Sequence, residues 1–315
     1  MMRTVVVMPV YEDLEASSRL FMELARTQAA DTYVIAVDDG SVRQPLTASA
    51  IEASGLEGVV IKLRRNVGHQ RAIAIGLSYA AEHFGNDVIV VVMDSDGEDM
   101  PQTIAELVAG LDADDVDVVV AARRSRVESL RFKSFYIVYK LLFSVLSGRR
   151  ISFGNFMAAK MSGVRRMAAM PEMWIHVAAS VLASKLRVQS CALDRGPRYA
   201  GRSKMNFVGL ALHGFRALMV FAEDVLVRVG IACTIVAALS VTGGFIAIAL
   251  KMLGFATPGW FSLAFGILVL VFLQTAALTL IILMLSGMMR GGGVLGLGSY
   301  REYVEDVQHA ALRSA

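Results

Sequence analysis

Val88-Ile89-Val90-Val91-Val92-Met93-Asp94-Ser95-Asp96-Gly97-Glu98-Asp99 is the stretch that decides how this chain folds. An unbroken apolar run, mostly valine, ends abruptly in carboxylates. An apolar run without alternation fits a strand buried on both faces, as in a parallel sheet covered by helices. In such sheets ligands bind beyond the carboxyl ends of the strands. The acidic cluster therefore falls where a site is expected. On an extended segment Asp94 and Asp96 project to the same side. Two hard oxygen ligands suit Mg2+ or Mn2+, bridging to a diphosphate. Asp-x-Asp alone is common in solvated loops; its place at a strand end, with Glu98 and Asp99 behind it, gives it weight.

Working outward, the same short Val- and Ile-rich pattern recurs at Thr4–Val7, Tyr33–Val37, Val59–Lys62 and Val116–Ala121. Amphipathic stretches such as Glu15–Gln28 and Gln70–Phe84 lie between the runs. The alternation predicts an α/β fold with a mostly parallel, Rossmann-like sheet. Pro9-Val10-Tyr11-Glu12 and Val37-Asp38-Asp39-Gly40-Ser41 close two of these runs and make two walls of one pocket. An aspartate there can accept from a ribose hydroxyl or a base N–H, although Asp-Gly also serves ordinary strand-to-loop turns. Arg64-Arg65-Asn66-Val67-Gly68-His69-Gln70 leads into a helix. Arg65 and His69 could reach a phosphate or sugar at its N-terminus; a helix-entry loop with solvated arginines explains them equally well. His176, beside Trp174 in the helix-like run Met173–Ser184, reads as structural.

The second half is different in character. The chain has 315 residues, 55% of them hydrophobic and 19% charged, and a mean hydropathy of +0.55. That is too apolar for an ordinary soluble domain, and the excess sits mainly in the last third. Val229–Leu250 and Gly259–Met289 carry no charge, and each is long enough to cross an apolar core of about 30 Å. Arg228, Arg290 and Arg301 flank the pair outside, against only Lys251 in the turn. This distribution predicts a hairpin of two spans with both ends in the cytoplasm. Ser129–Leu146 and Lys204–Arg228 mix aromatic and aliphatic residues with a basic rim, as helices lying in a membrane interface do. The expected organisation is a cytoplasmic domain over 1–203 that includes an interface helix at about 129–147. A juxtamembrane amphipathic helix follows over 204–228, then two transmembrane helices over 229–289 and a cytoplasmic tail over 290–315. The chain opens directly on a strand-like run, and Cys191 and Cys233 offer no disulfide or zinc framework, which also points to the cytoplasmic side. A net charge of +3 suits an anionic membrane surface and makes no case for nucleic acid.

Taken together, Pro9-Val10-Tyr11-Glu12, Val37-Asp38-Asp39-Gly40-Ser41, Arg65-Asn66-Val67-Gly68-His69-Gln70, Asp94-Ser95-Asp96 and Arg198-x-x-Gly201-x-Ser203-Lys204 resemble the family 2 glycosyltransferases of GT-A fold. The resemblance is to their polyisoprenyl-phosphate branch, which includes dolichol-phosphate-mannose synthases and bacterial undecaprenyl-phosphate glucosyltransferases. It extends over the whole chain. It implies that Pro9, Tyr11, Glu12 and Asp39 hold the nucleoside and that Asp94 and Asp96 hold the metal. It further implies that Arg123, Arg126 and Arg131 receive the acceptor phosphate, and that Arg198, Ser203 and Lys204 contact the donor diphosphate. Two departures stand out. The chain reads Asp96-Gly97-Glu98-Asp99-Met100-Pro101 where the branch usually has Asp-Leu-Gln-Asp-Pro-Pro. It reads Gly154-Asn155-Phe156-Met157 where Gly-Asp-Phe-Arg is common.

The expected activity is metal-dependent, inverting transfer of one sugar from a UDP- or GDP-linked donor to a polyprenyl phosphate. A phosphate acceptor is already anionic near neutral pH and needs little help from a base, whereas a hydroxyl acceptor needs one in reach. Asn155 in place of a carboxylate fits the former; Asp99 keeps the latter open. A glycosyltransferase acting on a lipid or glycan hydroxyl, or a non-catalytic nucleotide-sugar-binding membrane protein, are the alternatives. Paired spans permit a homo-oligomer.

Overall fold

A computed structural model describes residues 3–28, 31–113, 115–123, 130–150, 153–199, 207–255, 259–290 and 297–310. The chain divides into two compact units, one of residues 1–137, 151–220 and 294–315, the other of residues 138–150 and 221–293.

The first unit is built on an eight-stranded sheet in the order β7-β5-β6-β4-β1-β2-β3-β8. Its strands are β1 (Arg3–Val10), β2 (Thr32–Asp38), β3 (Glu57–Leu63), β4 (Val88–Val92), β5 (Val118–Arg123), β6 (Phe153–Lys160), β7 (Val188–Leu193) and β8 (Val304–Ala310). All five runs expected from the sequence are strands. β4, β1, β2 and β3 are mutually parallel, so their carboxyl ends share one edge. β6 runs antiparallel between β4 and β5, and β7 is parallel to β5.

Around the sheet lie α1 (Leu14–Thr27), α2 (Ala48–Glu52), α3 (His69–His83), α4 (Ile104–Ala109), α6 (Met161–Ala168), α7 (Val177–Ala183) and α8 (Phe207–Met219); α5 (Leu130–Ser147) runs on into the second unit. The two-residue side-chain period of a strand sorts the core into two faces. Val5, Val7, Ile35 and Val37 pack with Ile73 and Leu77 of α3. Val6, Met8, Val34 and Ala36 pack with Leu20, Phe21 and Leu24 of α1. The contact on the α3 side is close: a Cβ on Gly76 would lie 2.5 Å from Val7 Cγ1.

One assignment needs correcting. Residues 290–315, expected to be a tail, contain β8, which pairs antiparallel with β3 from Gly58↔Ala310 to Leu63↔Val304. An unpaired β3 edge would leave a row of open backbone donors and acceptors, and β8 fills it. Likewise, the stretch expected to be one juxtamembrane helix over 204–228 is divided. α8 ends at Met219, and residues 222–228 open the next helix.

The second unit holds α9 (Ala222–Met252) and α10 (Trp260–Arg290). Both are long and apolar enough to cross a membrane by length and composition. They pack antiparallel, since a Cβ on Gly243 would meet Leu268 at 3.3 Å and one on Gly230 would meet Ile282 at 3.8 Å. Small residues Ser240, Gly244 and Ala247 form the buried stripe of α9, which lets the backbones approach. The remaining faces are bare: Leu239, Phe245, Leu263 and Met284 are 65–71% exposed. A core helix of a soluble domain would have these covered. In the same unit Phe143 of α5 packs edge-on against Phe221 at 5.9 Å, and Arg228 Nη1 donates to the Val145 carbonyl at 3.1 Å.

Candidate active site

The carboxyl ends of β1, β2 and β4 come together by register, with Val10 opposite Asp38 and Val7 opposite Val92. The pairing continues one step past the strands: Asp39 N donates to Val10 O at 2.8 Å and Met93 N to Val7 O at 3.1 Å. Pro9, Tyr11, Glu12, Asp39 and Asp94 therefore lie along one edge.

Three of the acidic side chains there are engaged by backbone. Asp38 accepts from Ser41 N at 3.0 Å and from Leu46 N at 2.9 Å. Glu12, at a positive φ of 48°, accepts from Val42 N at 2.7 Å, Gln44 N at 2.8 Å and Arg43 N at 3.1 Å. Those amides, Val42 first and then Arg43, hold its carboxyl below the ordinary range. Asp39 accepts from Val67 N at 2.7 Å and Gly68 N at 2.9 Å. Burial raises the Asp39 carboxyl to about 6, against the lowering effect of those two amides. The carboxylates thus shape the loops of the pocket, whereas Tyr11 presents an exposed ring (43%).

The facing wall is the loop 94–99. Asp96 accepts from Glu98 N at 3.0 Å, and Asp99 from Asp94 N at 3.0 Å. Two arginines from the segment after β7 lie over it. Arg198 pairs with Asp96 at 2.6 Å and Glu98 at 3.4 Å. Arg195 pairs with Glu98, with Asp99 at 3.3 Å and with Asp94 at 3.9 Å. The segment is sewn down by Gly196 N to Glu98 O at 3.0 Å and Tyr199 N to Asp96 O at 2.9 Å. Tyr199 in turn bonds Glu23 and lies under Arg19, whose guanidinium is 4.3 Å from the ring centroid. Gly97 is required here: its φ is +85°, and a Cβ would sit 2.5 Å from the Tyr199 ring. The Gly97–Met100 departure therefore comes with a local partner, Tyr199.

Burial, then repulsion between neighbouring carboxylates, raises both Asp94 and Asp99 well above the usual carboxylate range. Asp94, Asp96, Glu98 and Asp99 carry four formal negative charges against two from Arg195 and Arg198. A divalent cation would balance that excess, and the oxygen donors are of the right hardness for Mg2+ or Mn2+. Among the described residues no group of three or more His, Cys, Asp or Glu is disposed as a ready-made metal cage.

Asn155 has a clear role in this fold. It accepts from Gln70 Nε2 at 3.0 Å, while Gln70 Oε1 accepts from Val177 N at 2.7 Å. The amide pair ties β6, α3 and α7 together beside the pocket. Arg123 ends β5, opposite Leu193 of β7, and Arg131 lies in the first turn of α5; their side chains are outside the described residues, as are Arg126, Ser203 and Lys204 entirely. Arg195 and Tyr199 join the acidic loop without having been assigned to it from the sequence.

Residues 5–170 match the glycosyl transferase family 2. The chain belongs to this family. The glycosyltransferase is 29% identical, over 88% of its length and 87% of the other's, to an uncharacterized glycosyltransferase of Synechocystis. It is 31% identical over 163 residues to the undecaprenyl-phosphate 4-deoxy-4-formamido-L-arabinose transferase of Enterobacter, a match spanning 49% of this chain and 47% of that protein. In fold it is similar to glucosyl-3-phosphoglycerate synthase from Mycobacterium tuberculosis, solved with Mn2+, uridine diphosphate and phosphoglyceric acid. There the TM-score is 0.50 at 17% identity, covering 71% of this chain and 78% of that one.

Proposed function

We propose that this glycosyltransferase moves one sugar from a UDP- or GDP-linked donor to a polyprenyl phosphate at the cytoplasmic face of a membrane, with inversion at the anomeric carbon. The observation that carries the reading is the acidic loop 94–99 held by Arg195 and Arg198, in a chain that also has two bare apolar helices of spanning length. The undecaprenyl-phosphate transferase relative supports the choice of acceptor.

In this reading Asp94 and Asp96 hold Mg2+ or Mn2+. The metal, when bound, would offset negative charge on the departing nucleoside diphosphate. Tyr11 offers a ring to the base, and the Asp39 carboxylate fixes the 67–68 turn beside it. Arg195 and Arg198, now paired with carboxylates, are placed to exchange them for donor phosphate oxygens, joined by Ser203 and Lys204. Arg123, Arg126 and Arg131 receive the acceptor phosphate. An acceptor oxygen forms its bond to the anomeric carbon as the bond from that carbon to the donor phosphate oxygen breaks, and the diphosphate leaves with the electron pair. An anionic acceptor needs no deprotonation, so no base is required of Asp99.

The test is a transfer assay with the detergent-solubilised chain, a panel of UDP- and GDP-sugars, undecaprenyl phosphate, and Mg2+ or Mn2+. One sugar on the lipid phosphate, seen by mass spectrometry, is the expected product. Donor breakdown without glycolipid would refute the acceptor. Asp94→Ala should lower turnover by at least about a hundredfold with the fold intact; full activity in that variant would refute the metal assignment.

A further inference from the structure

Away from the acidic loop, a second polar cluster joins α3, α7 and α8. His176 caps α7, its Nδ1 accepting from Ala179 N at 3.2 Å. A neutral His176 therefore carries its proton on Nε2. That nitrogen lies 3.0 Å from His213 Nε2, so His176 donates and His213 accepts. The proton of His213 must then be on Nδ1. This nitrogen is buried and has no hydrogen-bond partner among the described residues, a condition native structures seldom leave unmet.

What surrounds it is of one chemical kind. The His69 ring lies 5.4 Å from that of His213, centroid to centroid. Arg216, one turn along α8, is exposed, and its Nη1 is 3.9 Å from where a Cβ on Gly68 would be. No ion-pair partner faces Arg216 among the described residues. α3 starts at His69 with no side-chain cap, and its dipole is positive at that end. Burial first, then the neighbouring imidazoles and Arg216, hold the rings neutral; His176 falls to about 3 and His213 to about 4, and His69 is lowered by burial and Arg216. The cluster offers donors and a positive charge, and the Asp39 carboxylate beside it is engaged by the Val67 and Gly68 amides.

We propose that the Nδ1–H of His213, the His69 ring and the Arg216 guanidinium, at the N-terminus of α3, form a phosphate-binding site. It is distinct from the 94–99 loop and would take a phosphomonoester or phosphodiester anion. It adjoins the pocket, because the Gly68 amide beside it is the one that holds Asp39. Only the source of the phosphate rests on the polyprenyl-phosphate reading; the transfer assay tests that reading separately.

The experiment uses the full chain in uncharged detergent with 15N-labelled histidine, which gives five imidazoles to resolve. Inorganic phosphate, farnesyl phosphate and phosphatidylglycerol are titrated in turn. The expected result is a saturable shift of the His213 Nδ1 signal. Arg216→Gln should weaken binding about tenfold, the value of one charge-assisted hydrogen bond. His213→Gln keeps an acceptor for His176 but loses the Nδ1 donor, and should bind as weakly. His213→Asn, which keeps a donor there, should bind more tightly than His213→Gln. Tighter binding of farnesyl phosphate than of phosphatidylglycerol assigns the site to the acceptor; the reverse order assigns it to a lipid headgroup. An unchanged far-UV circular dichroism spectrum and thermal midpoint show that each variant is folded. No shift with any of the three anions, or undiminished binding in Arg216→Gln, overturns the proposal.

Discussion

At the scale of single residues, the loops at the strand ends are fixed by carboxylates that grip backbone. Asp39 is the clearest case, with one oxygen on Val67 N and the other on Gly68 N. Asp39→Asn turns one acceptor into a donor that faces an N–H, so the 67–68 turn should loosen and donor affinity fall about tenfold, as titration calorimetry with UDP or GDP would show. Its pH signature has a definite sign. The folded-state value of about 6 lies above the usual 3.8, so the folded state favours the protonated form. Asp39 thus costs nothing below pH 4; its penalty grows as pH rises through the interval and is complete above 6. Between pH 4.5 and 7 the wild type should lose stability relative to Asp39→Asn in thermal melts; parallel curves would contradict this. The Asp94-x-Asp96 pair was legible because its signal is local: an apolar run, then alternating carboxylates. The grip of Glu12 on residues 42–44 was not, because it depends on a loop thirty positions away. The His176–His213 bond spans 37 positions and leaves no mark in either local pattern.

At the scale of elements, β1–β5 could be read directly, since each is a short Val- or Ile-rich run bounded by turn residues. β6 to β8 could not. β7 reads Val-Gln-Ser-Cys-Ala-Leu and β8 Val-Glu-Asp-Val-Gln-His-Ala, half-exposed edge strands whose polar residues hide the period. Two tests belong here. Gly76→Ala puts a methyl into Val7 and should cost about 1–3 kcal/mol in chemical unfolding, with donor chemistry unchanged. Removing residues 304–315 takes β8 from β3 and opens a backbone edge. Its thermal midpoint should drop by roughly 5 °C or more and aggregation should rise, followed by light scattering; an unaltered midpoint would mean that β8 is dispensable.

For the molecule as a whole, composition was the decisive clue to the second unit, and the bare faces of α9 and α10 agree with it. Expressed chain should stay with the membrane pellet through an alkaline carbonate wash. Release into the supernatant would assign those faces to a protein partner instead.

The placement of β8 has a consequence for how the protein is made. Strands β1 to β7 precede the hairpin in the chain and β8 follows it, while synthesis proceeds from the N-terminus. The sheet must therefore wait, one strand short, until both apolar helices have left the ribosome. Its final edge closes only when the polypeptide has doubled back past the hairpin. Assembly of the sugar-transfer domain is thereby timed by the making of the hairpin, and a chain stalled midway would carry an open strand edge that quality-control factors could recognise.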